Sequence, residues 1–166
     1  MAVPHCEAWL HSVAPRLQAS GFAPLNPQTY QPRGFLYAVH RCRLELTKFG
    51  MAEAYFVFAQ IEVLTPDVLN HFSWMAYTYS IANKSFPLPC GFFESVWCFP
   101  VAITYQLHPQ MADYVRSMPL RKHWAAGEFP VVFDTATGQL CFCERTPLWG
   151  AAYCAGFREE VRRNLG

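Results

Sequence analysis

Charged side chains are scarce in this sequence: Asp, Glu, Lys and Arg make up 15% of its 166 residues, against roughly 25% in an average soluble protein. With 52% hydrophobic residues beside so little charge, the chain has ample apolar surface to bury, which excludes intrinsic disorder. Neither sign is in excess, since 13 Lys and Arg stand against 12 Asp and Glu. No long-range field therefore draws the molecule to nucleic acid or to an anionic membrane, and no nucleic-acid partner is expected. The first residues, Met1 to Glu7, lack a basic stretch followed by an apolar one. No secretory signal is expected there, and a cytoplasmic location is. The seven cysteines form neither an even, regularly spaced framework nor a CxxC pair, which predicts reduced thiols rather than disulfides. There is no glycine-rich nucleotide loop, no complete metal-ligand set and no recognisable catalytic signature, so neither a cofactor nor a bound metal is expected.

An unbroken apolar run of membrane length is missing as well. The stretch from Phe86 to Leu107 is long and apolar, but Pro87, Pro89, Gly91, Glu94 and Pro100 fall within it. A spanning helix would have to absorb all of these, so the stretch predicts a buried strand entered through a proline-rich loop, and no membrane contact. Pro100 then marks an edge position or a bulge.

What is present is a chain of single-domain size, residues 1–166, able to bury about two-thirds of its unfolded surface. Trp9, Leu10, Val13 and Leu17 lie near helical spacing before Gly21 and predict a first helix, with Pro15 as a kink or division. Phe22 to Gly34 has loop composition. Phe35 to Thr47 alternates, with Leu36, Ala38, His40, Cys42, Leu44 and Leu46 on one face and Arg41, Arg43 and Glu45 towards the other. It predicts a half-buried strand in a hairpin with the apolar strand Ala54 to Leu64, leaving the two arginines as an exposed basic stripe. Thr65-Pro66-Asp67 is a helix start, with a capping hydroxyl, a first-position proline and a carboxylate at the positive end of the dipole. The helix should run to about Lys84. A strand from about Phe92 to Leu107 and a short helix from Pro109 to Met118 follow, then a connection from Pro119 to Gly127. Val131 to Asp134 and Gln139 to Glu144 predict a second hairpin. Thr146-Pro147 repeats the helix-start chemistry before a last helix from about Leu148 to Asn164.

These elements specify an α+β domain: a mainly antiparallel sheet of about five strands covered by helices, in the order α-β-β-α-β-α-β-β-α. That plan resembles small bacterial α+β dimers such as secretion chaperones, an analogy of fold that carries no function. The phrases Pro87-Leu88-Pro89-Cys90-Gly91 and Thr146-Pro147-Leu148-Trp149-Gly150-Ala151-Ala152-Tyr153 resemble small uncharacterised bacterial proteins. No activity or catalytic residue comes with that resemblance.

Several groups of residues could carry chemistry. Cys141 and Cys143 could hold zinc with His40 or His123, but their spacing suits buried thiols better. Cys98 and Cys154 could be nucleophiles, although apolar surroundings raise a thiol pKa. Glu128, Asp134 and Glu144, on or near one hairpin, are the residues of a metal-dependent hydrolase or nuclease reading. Glu144 is followed by Arg145 and Thr146, without the lysine that restriction-endonuclease-like sites place two residues after the second carboxylate. Otherwise these carboxylates face solvent at a hairpin tip. Glu94 is the one formal charge between Lys84 and Asp113, so it must be exposed at an edge, paired with a cation such as Arg121 or Arg145, or line a pocket. The reading ranked first is a non-enzymatic interaction or ligand-binding module acting as a homodimer. Its binding residues are Glu94, Arg121, Lys122, His123, Trp124 and Trp149, since aromatic residues and arginine are enriched where partners bind.

Overall fold

The computed structural model describes residues 4–45, 50–86, 90–91, 94–145 and 151–166. Among them, five helices and eight strands form a single mixed sheet flanked by helices. The chain runs α1 (Pro4–Ala19), β1 (Ala23–Pro24), α2 (Pro27–Tyr30) with a 3-10 turn at Gln31–Arg33, β2 (Tyr37–Glu45) and β3 (Gly50–Gln60). It continues with α3 (Pro66–Ala82), β4 (Glu94–Thr104), α4 (Pro109–Ser117), β5 (Arg121–His123), β6 (Ala126–Glu128), β7 (Val131–Asp134), β8 (Gln139–Phe142) and α5 (Ala151–Leu165).

The α+β class holds, but the sheet has eight strands rather than about five, and its centre is parallel. β3 pairs with β4, and β4 with β6 and β7, all in parallel, while β1–β2, β2–β3, β5–β6 and β7–β8 are antiparallel. The reason is physical: β3 returns to the sheet through α3, a crossover that permits parallel pairing. A strand buried on both faces in such a sheet reads as a continuous apolar run, as Val96 to Ile103 does.

Pro100 is at neither an edge nor a bulge. It lies inside β4, paired with Val57 of β3 on one side. On the other side the same register runs through β6 and β7, so these are two halves of one strand interrupted at Phe129 and Pro130. Val96 N–H donates to the Ala125 carbonyl, and the Cys98 carbonyl accepts from Phe129 N–H. The even-numbered peptides of β4 thus face that broken strand, and the N–H that Pro100 lacks would have reached the Phe129 carbonyl. The ladder breaks opposite a break.

The helix starts follow their capping chemistry. Thr65 accepts a hydrogen bond from Val68 N–H, with Pro66 first in α3, and His108 accepts from Gln110 N–H ahead of Pro109 in α4. The predicted loop at 22–34 contains β1, α2 and the 3-10 turn, with Asn26 capping α2. The predicted connection at 119–127 is instead a hairpin of two three-residue strands, too short for periodicity to register. Its turn places Ala125 at φ 52°, a left-handed conformation that costs a residue with a Cβ about 1–2 kcal/mol. Ala125→Gly is expected to raise stability by about 0.5–1 kcal/mol after the extra unfolded-state entropy of glycine, read as a higher urea midpoint. The predicted start of the last helix at Thr146–Pro147 lies outside the described residues.

Two cores sit on the two faces of the sheet. α3 and α4 cover Ala38, Tyr55, Val57, Val96, Cys98 and Val132. α1 and α5 cover an aromatic face that includes Phe56, Phe58, Phe99, Phe129 and Phe133.

Candidate functional site

Glutamates are seldom fully buried unless paired, yet Glu53 is 0%, Glu94 5% and Glu128 1% exposed. All three stand on the sheet face beneath α3. The register explains how: one row across the sheet reads His40, Tyr55, Cys98, Glu128 and Arg121, and the next reads Cys42, Glu53, Val96, Ala126 and His123. Glu94 stands one row further along, opposite Met51. Side chains of one strand alternate between faces, so these rows form one polar band. From α3, Asn70, Ser73 and Tyr77 meet the band at roughly helical spacing, and Lys84 reaches it from just beyond the end of the helix.

At one end, Glu53 Oε2 accepts hydrogen bonds from His40 Nε2 and the Tyr55 hydroxyl, each at 2.8 Å. Both Glu53 oxygens also accept from Ser85 N–H, at 2.9 and 3.1 Å. Burial would raise the pKa of this carboxyl, but the bonds from His40, Tyr55 and Ser85 and one shared with the Glu94 carboxyl outweigh it, taking the pKa down to about 2. The same arrangement acts in reverse on Tyr55, whose hydroxyl is pushed up by burial and then by its bond to Glu53. Glu94 pairs with Lys84, Nζ to Oε2 at 2.5 Å, rather than with Arg121 or Arg145. Glu94 Oε1 is buried and has no hydrogen-bond partner among the described residues. Cys42 and Cys90 lie within the field of both carboxylates: burial first and then those charges raise the Cys42 thiol, while at Cys90 burial raises the thiol, Lys84 opposes it and the carboxylates add to it.

In the middle of the band, Glu128 Oε2 accepts from the Ser73 hydroxyl and Oε1 from His123 Nε2 at 2.8 Å. Arg121 Nη1 approaches Oε2 at 3.9 Å, and its Nη2 donates to Asn70 Oδ1. His123 stacks on Tyr77 at 4.2 Å between ring centroids, with Trp74 5.9 Å away. A Ser, a His and a Glu therefore meet, but the carboxylate sits between the other two. The serine has no hydrogen bond to the imidazole, so this is not the relay that activates a hydroxyl nucleophile.

The structure brings together Arg121, His123 and Glu128 and seats Trp124 beside them. The indole lies over the backbone of Gly91, where an added Cβ would come within 2.0 Å of Nε1. Lys122 points to the opposite face, its ammonium 5.9 Å from the Tyr153 ring. Trp149 lies outside the described residues. Glu128 and Asp134 are buried rather than facing solvent. They share a face but stand six residues apart on the interrupted strand, about 20 Å at ~3.3 Å per residue. Asp134 accepts from Ala136 N–H in the turn that follows, and Glu144 is exposed beside Arg116 at 3.7 Å. These three carboxylates do not converge.

The remaining candidates are similarly engaged. Cys141 and Cys143 donate to the carbonyls of Ala112 and Met118, and His40 and His123 are held by Glu53 and Glu128. No group of three or more His, Cys, Asp or Glu suited to a metal occurs among the described residues. Burial raises the thiols of Cys98 and Cys154, against a nucleophilic role. The predicted basic stripe is divided: Arg41 is largely buried, with Nη1 2.7 Å from Glu160 Oε1, while Arg43 stays exposed. No described helix is long and apolar enough to cross a membrane.

Comparison with protein-family models, curated proteins and solved structures found no match. The functional reading rests on the geometry alone.

Sequence reasoning missed Glu53, Tyr55, Ser73 and Lys84 as members of the band. A signal for Glu53 was present: it has the same strand parity as Tyr55 and Val57, and so belongs to a buried face.

Proposed function

We propose that this chain is a non-enzymatic interaction module that associates with a second copy of itself through the surface around Trp74, Tyr77, His123 and Trp124. What carries the reading is the exposure of Trp124 and Trp74, at 81% and 51%, around a histidine and an arginine that an internal carboxylate already engages. Large aromatics are the residues on which interfaces depend most, and a patch with few uncompensated charges loses little on desolvation. Glu128 engages His123 and approaches Arg121 from beneath, so covering the patch strands neither side chain. Both Glu128 oxygens are occupied from within the fold, which suits a structural tie better than a general base. The low overall charge favours a second copy as partner, because two near-neutral molecules repel one another weakly.

Trp124→Ala removes a ring that is mostly in solvent, so the variant is expected to keep the wild-type far-UV spectrum and urea midpoint while its sedimentation coefficient falls from dimer to monomer. A Trp74→Ala variant should act in the same direction. A wild-type protein that sediments as a monomer at every concentration, or a Trp124→Ala dimer as tight as wild type, removes the reading.

A further inference from the structure

The structure assigns a second binding site, on the opposite face of the sheet, for a small flat aromatic carboxylate. A cleft of about 430 Å³ opens there between the sheet and α5, within the usual ~300–1,000 Å³ range of small-molecule sites. Its origin is a gap in side-chain size. On this face β3 presents Ala52 and Ala54 before Phe56 and Phe58, so the floor drops at one end of the strand. In register, Ala54 lies between Arg41 of β2 and Trp97 of β4, and Ala52 lies beside Arg43. Above the floor, α5 contributes Gly156, whose missing side chain leaves open space.

The walls set the ligand's shape. Trp97 and Phe157 stand with ring centroids 4.5 Å apart, and Tyr153 lies 6.1 Å from Trp97 at an interplanar angle of 29°. Aromatic walls over an alanine floor accommodate a planar apolar body. The rim sets its charge. Arg41 is committed to Glu160 and the Ser20 carbonyl, with its guanidinium over the Phe22 ring. Glu160 is in turn held by Arg163, and Glu45 also stands on the rim. Arg43 makes a single side-chain hydrogen bond, Nη2 to the Ser20 carbonyl at 3.0 Å, and no carboxylate lies within 4 Å of it among the described residues. Its remaining N–H donors can take a carboxylate in the two-pronged geometry that guanidinium favours.

The probe is 2-naphthoate, titrated against the full chain by calorimetry and tryptophan fluorescence, with 2-naphthalenemethanol as the neutral analogue. Naphthoate is expected to bind about tenfold more tightly than the alcohol, the size of one charge-assisted pairing. Arg43→Gln should erase that difference, and Gly156→Leu, which fills the cleft from an exposed helix position, should weaken both probes. Ala52→Leu fills it from the floor and serves if the helix variant fails to fold. Trp124→Ala should leave naphthoate binding unchanged, which separates this site from the association surface. Absence of naphthoate binding, equal affinity for the two probes, or binding that survives both filling variants overturns the assignment. So does binding that is lost with Trp124, which would place the aromatic anion on the other face.

Discussion

Replacing Glu53 with alanine is expected to cost about 3–5 kcal/mol, the usual penalty for removing one member of a buried charged cluster. The chain's total stability should itself be about 5–15 kcal/mol. The loss follows from what stays behind. His40 Nε2, the Tyr55 hydroxyl and Ser85 N–H all donate to this carboxylate; without it the Tyr55 hydroxyl keeps only the Asn83 carbonyl and the half-buried His40 ring loses its carboxylate partner, and a buried donor left unpaired costs about 1–3 kcal/mol. Glu53→Gln keeps one acceptor oxygen and should lie between alanine and wild type. Urea denaturation measures both; an alanine variant within 1 kcal/mol of wild type, the range of a surface pair, would show that the cluster is hydrated. The pH dependence has a definite sign. Folding lowers the Glu53 pKa from 4.5 to about 2, so its contribution is fully present above pH 4.5 and is lost as pH falls towards 2. The wild-type urea midpoint should decline across that window, and Glu53→Gln should flatten the decline.

The second large effect lies on the other face. Phe99→Ala is expected to cost about 3–5 kcal/mol, because Phe99 joins the sheet to α5. Its ring stacks on Phe56 at 4.6 Å and meets Phe157 edge-on at 5.6 Å and Phe129 at 6.1 Å. Few described neighbours could collapse into the space, since Phe56 is fixed on β3 and Phe129 is held beside β4 by its N–H bond to the Cys98 carbonyl. Matching losses by near-UV dichroism and by urea midpoint are expected. A preserved near-UV spectrum with a small shift in midpoint would mean that α5 closes the gap by moving. The two substitutions test opposite chemistries: a polar band under α3 held by hydrogen bonds, and an aromatic layer under α5 held by packing.

The sequence made some of this legible for reasons that can be named. The start of α3 is local chemistry, fully contained in Thr65, Pro66 and Asp67. The hairpins β2–β3 and β7–β8 join neighbouring stretches whose alternation and turns lie close in the chain. The parallel centre was not legible, because parallel partners are distant in sequence and a strand buried on both faces shows no alternation. The β5–β6 hairpin was hidden by its length, and Arg121, Lys122 and His123 consequently read as one cluster although Lys122 faces the other way. Glu94 was singled out as a lone charge in an apolar strand that is exposed, paired with a cation or lining a pocket, and the structure pairs it. Its partner proved to be Lys84, ten residues earlier in the chain, which no periodic signal links to it. Ser73 looked unremarkable in an apolar helix stripe, and only the strand register could reveal the carboxylate above which it sits.

The paired interruptions at Pro100 and Pro130 divide the molecule in a way that neither core suggests. With one rung of the ladder absent between them, the middle of the sheet has a compliant line across it. On one side lie the three buried glutamates, the Trp124 surface and the cleft mouth; on the other lie the β7–β8 hairpin and the end of β4. Twist can concentrate along that line, so a ligand or a second copy that shifts one half need not disturb the other. The β3–β4 register runs unbroken past that line, so the compliance is confined to the contact of β4 with β6 and β7.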